Sequence, residues 1–121
     1  MGREKIIVNY HIQGDPLSEE NLDKTLNSLH KIRLLMPNKT IWLYSGYCFE
    51  DCIMKQGEIV HSHNGQRFKR SLIVEQCDVM VDGRYIDSQR NLSSKWRGSD
   101  NQHVINVQES LKQNKIILHC D

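Results

Sequence analysis

Short apolar segments alternate with helix-forming segments in this chain of 121 residues, and this alternation limits the fold more than any other feature. β-Branched and aromatic residues predict strands at residues 6–12, 40–44 and 79–81. Strands that alternate with helices form parallel sheets with right-handed crossovers. The sequence therefore predicts an α/β fold, with a parallel sheet built from βα units.

The first predicted helix has the clearest boundaries. Ser18 can cap its start, and Pro37 follows its end. Apolar residues recur at helical spacing on one face: Leu22, Leu26, Leu29, Ile32 and Met36. A short helix is expected near Phe49, and a helix around Phe68 follows a polar loop at residues 61–65 and leads into the third strand.

The end of the chain is ambiguous at the level of sequence. Residues 104–107 fit either a strand or a helical turn, whereas residues 115–119 predict a last short strand. No Pro/Gly/Ser-rich linker divides the chain, and its length fits one small domain. We therefore expect a single domain over residues 1–121.

Composition excludes several classes of partner. A formal net charge of +1, with 26% charged residues, gives no basic face for nucleic acid or for an acidic membrane surface. The four cysteines occur without a signal peptide or a long apolar segment, which predicts a cytoplasmic protein with free thiols. No nucleic-acid or membrane partner is expected.

Polar groups follow each predicted strand, where open α/β sheets bind their ligands. They are Gly14, Asp15 and Pro16, then Tyr44, Ser45 and Gly46, and finally Asp82 and Arg84. The opposite charges of Asp82 and Arg84, at an exposed strand tip, suit a zwitterionic ligand. The alternative is a surface ion pair, worth about 0–1 kcal/mol.

A second polar cluster, at residues 96–102, combines a guanidinium, a glycine, a hydroxyl and amides. Its candidate contacts are Arg97, Ser99, Asn101 and Gln102. These side chains either face a ligand or partner, or belong to a polar loop that folds on its own hydrogen bonds.

Together these segments, above all VDGRYID at residues 81–87 and WRGSDNQ at residues 96–102, resemble the activating proteins of anaerobic ribonucleoside-triphosphate reductase. The resemblance runs from about Gln13 to the end of the chain. It implies a partial radical-SAM fold, similar to part of a TIM barrel. It also implies radical S-adenosylmethionine chemistry with a 4Fe-4S cluster, and a glycyl radical formed on the reductase as partner.

The resemblance also implies roles for individual residues. The segment from Gly14 to Pro16 resembles a Gly-Gly-Asp-Pro element that meets the amino group of S-adenosylmethionine, with Gln13 in place of the first glycine. Asp82 and Arg84 resemble an Asp-x-Lys pair that meets its carboxylate and ribose. Tyr44, Ser45 and Gly46 are expected beside its nucleoside, and the cluster at residues 96–102 near the nucleotide or the glycyl loop of the partner.

The chain departs from that family in its cysteines. The family's Cys-x3-Cys-x2-Cys motif is absent before Gln13, and after Cys48 and Cys52 the third position is Lys55. Two thiolates are too few for a cluster. We therefore expect a truncated, C-terminal part of an activating protein that binds no metal alone and has no assigned catalytic residue. The alternatives are an inactive remnant, or a reductase-binding module that needs a separate cysteine-bearing chain.

A sheet that starts at residues 6–8 is expected to leave its first strand unpaired on one side. Only Lys5 guards this β-prone run with a charge. We expect such an edge to recruit another chain or to aggregate, and a homodimer formed through the edge is the orderly outcome.

Overall fold

The computed structural model describes residues 4–59 and 65–119, which form a four-stranded sheet with helices on one face. In chain order the elements are β1 Lys5–Ile7, α1 Leu22–Leu35, β2 Thr40–Ser45, α2 Phe49–Ile53, β3 Met54–Lys55, β4 Glu58–Ile59, α3 Gly65–Glu75, β5 Val79–Asp82, β6 His103–Asn106 and α4 Val107–Gln113. Short 3₁₀ turns occupy Val8–His11, Glu19–Asn21 and Asp87–Gln89.

The sheet has the order β1-β2-β5-β6. The first three strands are parallel, as predicted, but β6 runs antiparallel to β5. Its direction follows from the connection, because no crossover helix lies between β5 and β6 and the chain turns back at the same end of the sheet. The α/β class is confirmed, whereas the expectation of a purely parallel sheet is wrong at this strand.

The last part of the chain covers the outer side of β6. Ile105 pairs with Leu118 in an isolated antiparallel bridge. Asn106 N donates to Ile117 O at 2.8 Å, and His119 N donates to Val104 O at 2.8 Å. The strand predicted at residues 115–119 is thus reduced to this bridge. At the opposite edge, β1 pairs only with β2 within the described residues.

The first strand is shorter than predicted because a 3₁₀ turn begins at Val8. The Asn9 side chain then replaces backbone pairing with β2. Its Nδ2 donates to Tyr44 O at 2.7 Å, and its Oδ1 accepts from Tyr44 N at 2.9 Å. A side-chain amide offers the same donor and acceptor as a peptide group, so the β1–β2 connection extends to the end of β2.

Helix α1 begins later than predicted. The Ser18 hydroxyl donates to Asp15 O at 2.8 Å instead of capping the helix, and a 3₁₀ turn separates it from Leu22. The predicted apolar face is correct at Leu22, Leu29 and Ile32, which are buried.

Within the described residues, no helix combines the length and apolarity needed to cross a membrane.

Each face of the sheet has its own apolar cluster. The larger one lies between the sheet and the helices and includes Leu29, Leu43, Ile73 and Met80. On the other face, Trp42 packs against Trp96 at a centroid distance of 5.6 Å. Trp42 is a core residue, and the connection between β5 and β6 covers this face.

Strands β3 and β4 form an antiparallel hairpin that the sequence did not predict. Two residues in each strand are too few for a periodic pattern to be read. Of the polar loop predicted at residues 61–65, residues 61–64 lie outside the described residues.

Candidate functional site

A cleft of ≈ 380 Å³ lies where β1, β2 and β5 end, at the edge of the sheet that their parallel direction predicts. Its lining comprises Asn9, Asp15, Tyr44, Ser45, Gly46, Gly83, Arg84, Tyr85 and Gln102. Six of these nine residues are candidates from the sequence: Asp15, Tyr44, Ser45, Gly46, Arg84 and Gln102. Three separate turns therefore meet at one polar site.

Asp15 joins the first two of these turns. Its Oδ1 accepts from Leu17 N at 2.9 Å and from Ser45 Oγ at 2.8 Å, and its Oδ2 accepts from Gly46 N at 2.8 Å. A carboxylate has about four acceptor positions. These bonds therefore leave Oδ2 with room for one further donor from a ligand.

Gly14 and Pro16 shape this turn without lining the cleft. Gly14 has a φ of +89°, which favours glycine, whereas Gln13 is not among the residues with positive φ. Glutamine at position 13 therefore has no backbone strain from a positive φ. Pro16 is buried, and its carbonyl accepts from Thr25 Oγ1 at 2.8 Å.

Arg84 lies opposite Asp15 across Gly46. A Cβ atom on Gly46 would lie 3.3 Å from Arg84 Cγ and 3.4 Å from Asp15 Oδ2. Glycine thus allows both side chains to approach the backbone closely. The Arg84 guanidinium is exposed and makes no hydrogen bond or ion pair with residues in the described ranges. The cleft therefore presents a carboxylate and an unpaired cation on either side of one glycine.

Asp82 is not part of this charge pair. The sequence predicts an exposed strand tip, but Asp82 is 4% exposed and does not line the cleft. Its Oδ2 accepts from Phe49 N at 2.8 Å, while its Oδ1 accepts from His103 N at 3.3 Å and lies 3.2 Å from His103 Nδ1. The first N–H groups of a helix need acceptors, so Asp82 joins the start of α2 to β5 and β6. In the cleft, Asp15 is the acidic counterpart of Arg84.

Arg97 and Ser99 belong to the internal hydrogen bonds of their own loop. Arg97 donates to Ser94 Oγ at 2.8 Å and to the carbonyls of Gln102 at 2.8 Å and Asp100 at 3.1 Å. Ser99 is fully buried, and its Oγ accepts from Ile86 N at 3.2 Å. The geometry of these two side chains matches the alternative of a self-bonded polar loop.

Asn101 and Gln102 hold the turn that carries Arg84. Asn101 Nδ2 donates to Arg84 O at 2.8 Å, and Gln102 Nε2 donates to Gly83 O at 3.0 Å. Gly83 has a φ of +95°, which only glycine adopts readily. Of the four loop candidates, only Gln102 also lines the cleft. The polar cluster at residues 96–102 thus holds the turn after β5, which carries Arg84, in place.

Three lining residues are not among the candidates from the sequence: Asn9, Gly83 and Tyr85. Asn9 lies inside a predicted strand, and its polar side chain is the only feature of the sequence that could have indicated a place in the cleft. The Tyr85 ring packs so closely on Gly98 that a Cβ there would lie 3.0 Å from Tyr85 Cδ1.

Burial raises the pKa of Tyr44, with Tyr10 contributing, so the Tyr44 phenol stays protonated at neutral pH and can donate a hydrogen bond.

The described cysteines do not form a metal site. Cys48 is exposed at the start of α2, whereas Cys52 and Cys77 are buried. Burial raises the pKa of the Cys52 thiol to about 12. The pKa of the Cys48 thiol is also raised, mainly by burial and to a smaller extent by nearby carboxylates. Thiolates are the ligands of clusters. No group of three possible metal ligands occurs in the described part of the chain, so these cysteines do not fit a 4Fe-4S cluster.

Comparison with known proteins relates the chain to activating proteins of anaerobic ribonucleoside-triphosphate reductase. The anaerobic ribonucleoside-triphosphate reductase-activating protein of Enterobacteria phage T4 is 37% identical over 93 residues, which are 75% of this chain and 47% of that protein. The protein of the same name from Escherichia coli K12 is 32% identical over 91 residues, which are 75% of this chain and 50% of that protein.

The chain spans about half the length of these curated relatives. No solved structure matches it. The model of a family described as 4Fe-4S single cluster domain matches residues 10–105, which include every residue that lines the cleft except Asn9. Because this match covers most of the sequence, the chain belongs to the 4Fe-4S single cluster domain family.

Proposed function

We propose that this chain is part of an activator of anaerobic ribonucleoside-triphosphate reductase and that its cleft binds S-adenosylmethionine. The observation that carries the proposal is the placement of Asp15 and Arg84 on either side of Gly46, with no partner for the Arg84 guanidinium among the described residues. The names of the relatives supply the reductase as partner.

The cleft suits the amino-acid part of that ligand. The ammonium group would donate to Asp15 Oδ2, and the carboxylate would accept from the Arg84 guanidinium, whose planar fork matches a carboxylate. Tyr44, Ser45 and Tyr85 offer a phenol, a hydroxyl and an aromatic ring for the nucleoside. S-adenosylmethionine would supply the chemistry when bound, while this chain binds and orients it.

The three described cysteines do not converge on a cluster site, so other cysteines would hold the cluster if the chain takes part in activation. We infer that the chain is a C-terminal part of a radical-SAM barrel, and the parallel strands β1, β2 and β5 support this inference. The burial of Cys52 and Cys77 supports the alternative of a reductase-binding module that relies on a separate cysteine-bearing chain. The other alternative, an inactive remnant, would bind neither ligand nor reductase.

Two further proposals concern assembly and location. The free edge of β1 carries Ile6 and Ile7, which are only half-buried, and this supports association of two copies through the edge. The free thiols of Cys48, Cys52 and Cys77 support a cytoplasmic location, where thiols stay reduced.

Anaerobic reconstitution with iron and sulfide tests the cluster part of the proposal. We expect the purified chain to hold no cluster at stoichiometric amounts, because the three cysteines in the described ranges do not converge. Iron and sulfide analysis with absorption spectroscopy checks this. A stoichiometric cluster that is lost in Cys48→Ser, and kept in Cys77→Ser, would show that Cys48 is a ligand.

Calorimetry with S-adenosylmethionine and co-purification with the reductase separate the candidate functions. Saturable binding of the ligand supports the proposal. Retention of the reductase without ligand binding would replace it with the reductase-binding module, and loss of both would leave the inactive remnant.

A further inference from the structure

We infer that Arg70, on α3, is a positioning residue for the cleft, because it connects the turn that carries Asp15 to the turn that carries Gly46. The inference rests on the proposed function, since its consequence is measured on S-adenosylmethionine binding. Arg70 does not itself line the cleft.

Arg70 contacts both turns from the side of the helices. Its Nε donates to Leu17 O at 2.8 Å. Its guanidinium lies over the Tyr47 ring, 4.4 Å from the ring centroid, and one Nη donates to Tyr47 Oη at 3.3 Å. Arginine suits this place because its planar group can donate along one edge while its face lies on an aromatic ring.

These contacts close a ring of hydrogen bonds. Leu17 N donates to Asp15 Oδ1, and Gly46 N donates to Asp15 Oδ2, each on the cleft side. Tyr47 N donates to Ser45 Oγ, which itself donates to Asp15 Oδ1. Arg70 joins Leu17 to Tyr47 on the outer side, so the two turns are held at two places. The outer connection therefore fixes the separation that Asp15 spans in the cleft.

Arg67 provides a matched control on the same helix. It lies one turn earlier in α3 and donates to Asp51 O at 2.7 Å and Met54 O at 2.6 Å. Both arginines therefore fasten α3 to backbone carbonyls, but only Arg70 reaches the turns of the cleft. A general loss of packing should affect the two variants alike.

The experiment compares Arg70→Ala, Arg70→Lys and Arg67→Ala in the full chain. S-adenosylmethionine affinity is measured by calorimetry, stability by urea unfolding, and local opening by amide hydrogen exchange. Arg70→Ala should weaken affinity about tenfold, because ligand binding must then restore the turn separation that the lost charged hydrogen bond had fixed, and should speed exchange at the Leu17 and Gly46 amides. Arg70→Lys should recover part of both, because an ammonium can keep one of the two contacts.

Arg67→Ala should lower stability while leaving affinity and exchange at these amides unchanged. Equal losses of affinity in the two alanine variants, or unchanged exchange in Arg70→Ala, would overturn the inference. If the wild-type chain fails to bind S-adenosylmethionine, the proposed function fails. Exchange at the Leu17 and Gly46 amides then decides the role of Arg70: faster exchange in Arg70→Ala supports it, and unchanged exchange overturns it.

Discussion

Replacing Asp82 with alanine should lower the free energy of unfolding by about 3 kcal/mol. The carboxylate is 4% exposed and accepts from Phe49 N and His103 N. Hydrogen bonds to charged groups contribute about 1.5–3 kcal/mol each, and the donors left behind are partly buried. Urea unfolding followed by circular dichroism measures the change.

Asp87→Ala is the control for this prediction. Asp87 is exposed and accepts one hydrogen bond from the exposed Tyr85 hydroxyl, so its loss should change stability by no more than about 0.5 kcal/mol. If Asp82→Ala is as mild as Asp87→Ala, Asp82 does not hold α2 and β6 in place. It then returns as a candidate ligand contact.

Asp15→Asn should lower the affinity for S-adenosylmethionine by about a hundredfold. Asparagine keeps one acceptor oxygen, but its amide places hydrogens toward donors that Asp15 now accepts from, on Leu17, Ser45 or Gly46. The variant also removes the negative charge that a ligand ammonium would meet. Loss of about 1.5–3 kcal/mol for one charged hydrogen bond already corresponds to about tenfold or more, and displacement of the turn adds to it.

Asp51→Asn provides the control for the charge itself. Asp51 lies beside the cleft, near Cys48, and is exposed. Asp51→Asn changes the net charge by the same amount as Asp15→Asn. Because it leaves the Asp15 carboxylate in place, it should leave the affinity for S-adenosylmethionine nearly unchanged. Comparable losses in the two variants would mean that a long-range field attracts the ligand, and that Asp15 has no specific contact.

The sequence predicts the parallel part of the sheet because strands β2 and β5 are continuous apolar runs with helices between them. It also predicts where the cleft lies, because parallel strands end at a common edge. The antiparallel direction of β6 is not predicted, since periodicity shows that a strand exists and says nothing about its direction.

The error over Asp82 has a definite cause. A carboxylate at a strand end looks alike in sequence whether it faces solvent or accepts from a helix that starts nearby. Only the packing of α2 over the end of β5 brings Phe49 N to Asp82. For the same reason, the roles of Asn101 and Gln102 in holding the Gly83 turn depend on distances that the motif does not contain.

In the proposed function, Asp15 and Arg84 bind the amino-acid part of S-adenosylmethionine. Calorimetry with two ligands tests it most directly: S-adenosylmethionine, and 5′-methylthioadenosine, which keeps the nucleoside but lacks the amino-acid part. We predict that Arg84→Ala weakens S-adenosylmethionine binding about tenfold or more and leaves methylthioadenosine binding unchanged, while Arg90→Ala, at another exposed arginine, changes neither. Unchanged affinity for S-adenosylmethionine in Arg84→Ala, or equal weakening of both ligands, would contradict the claim.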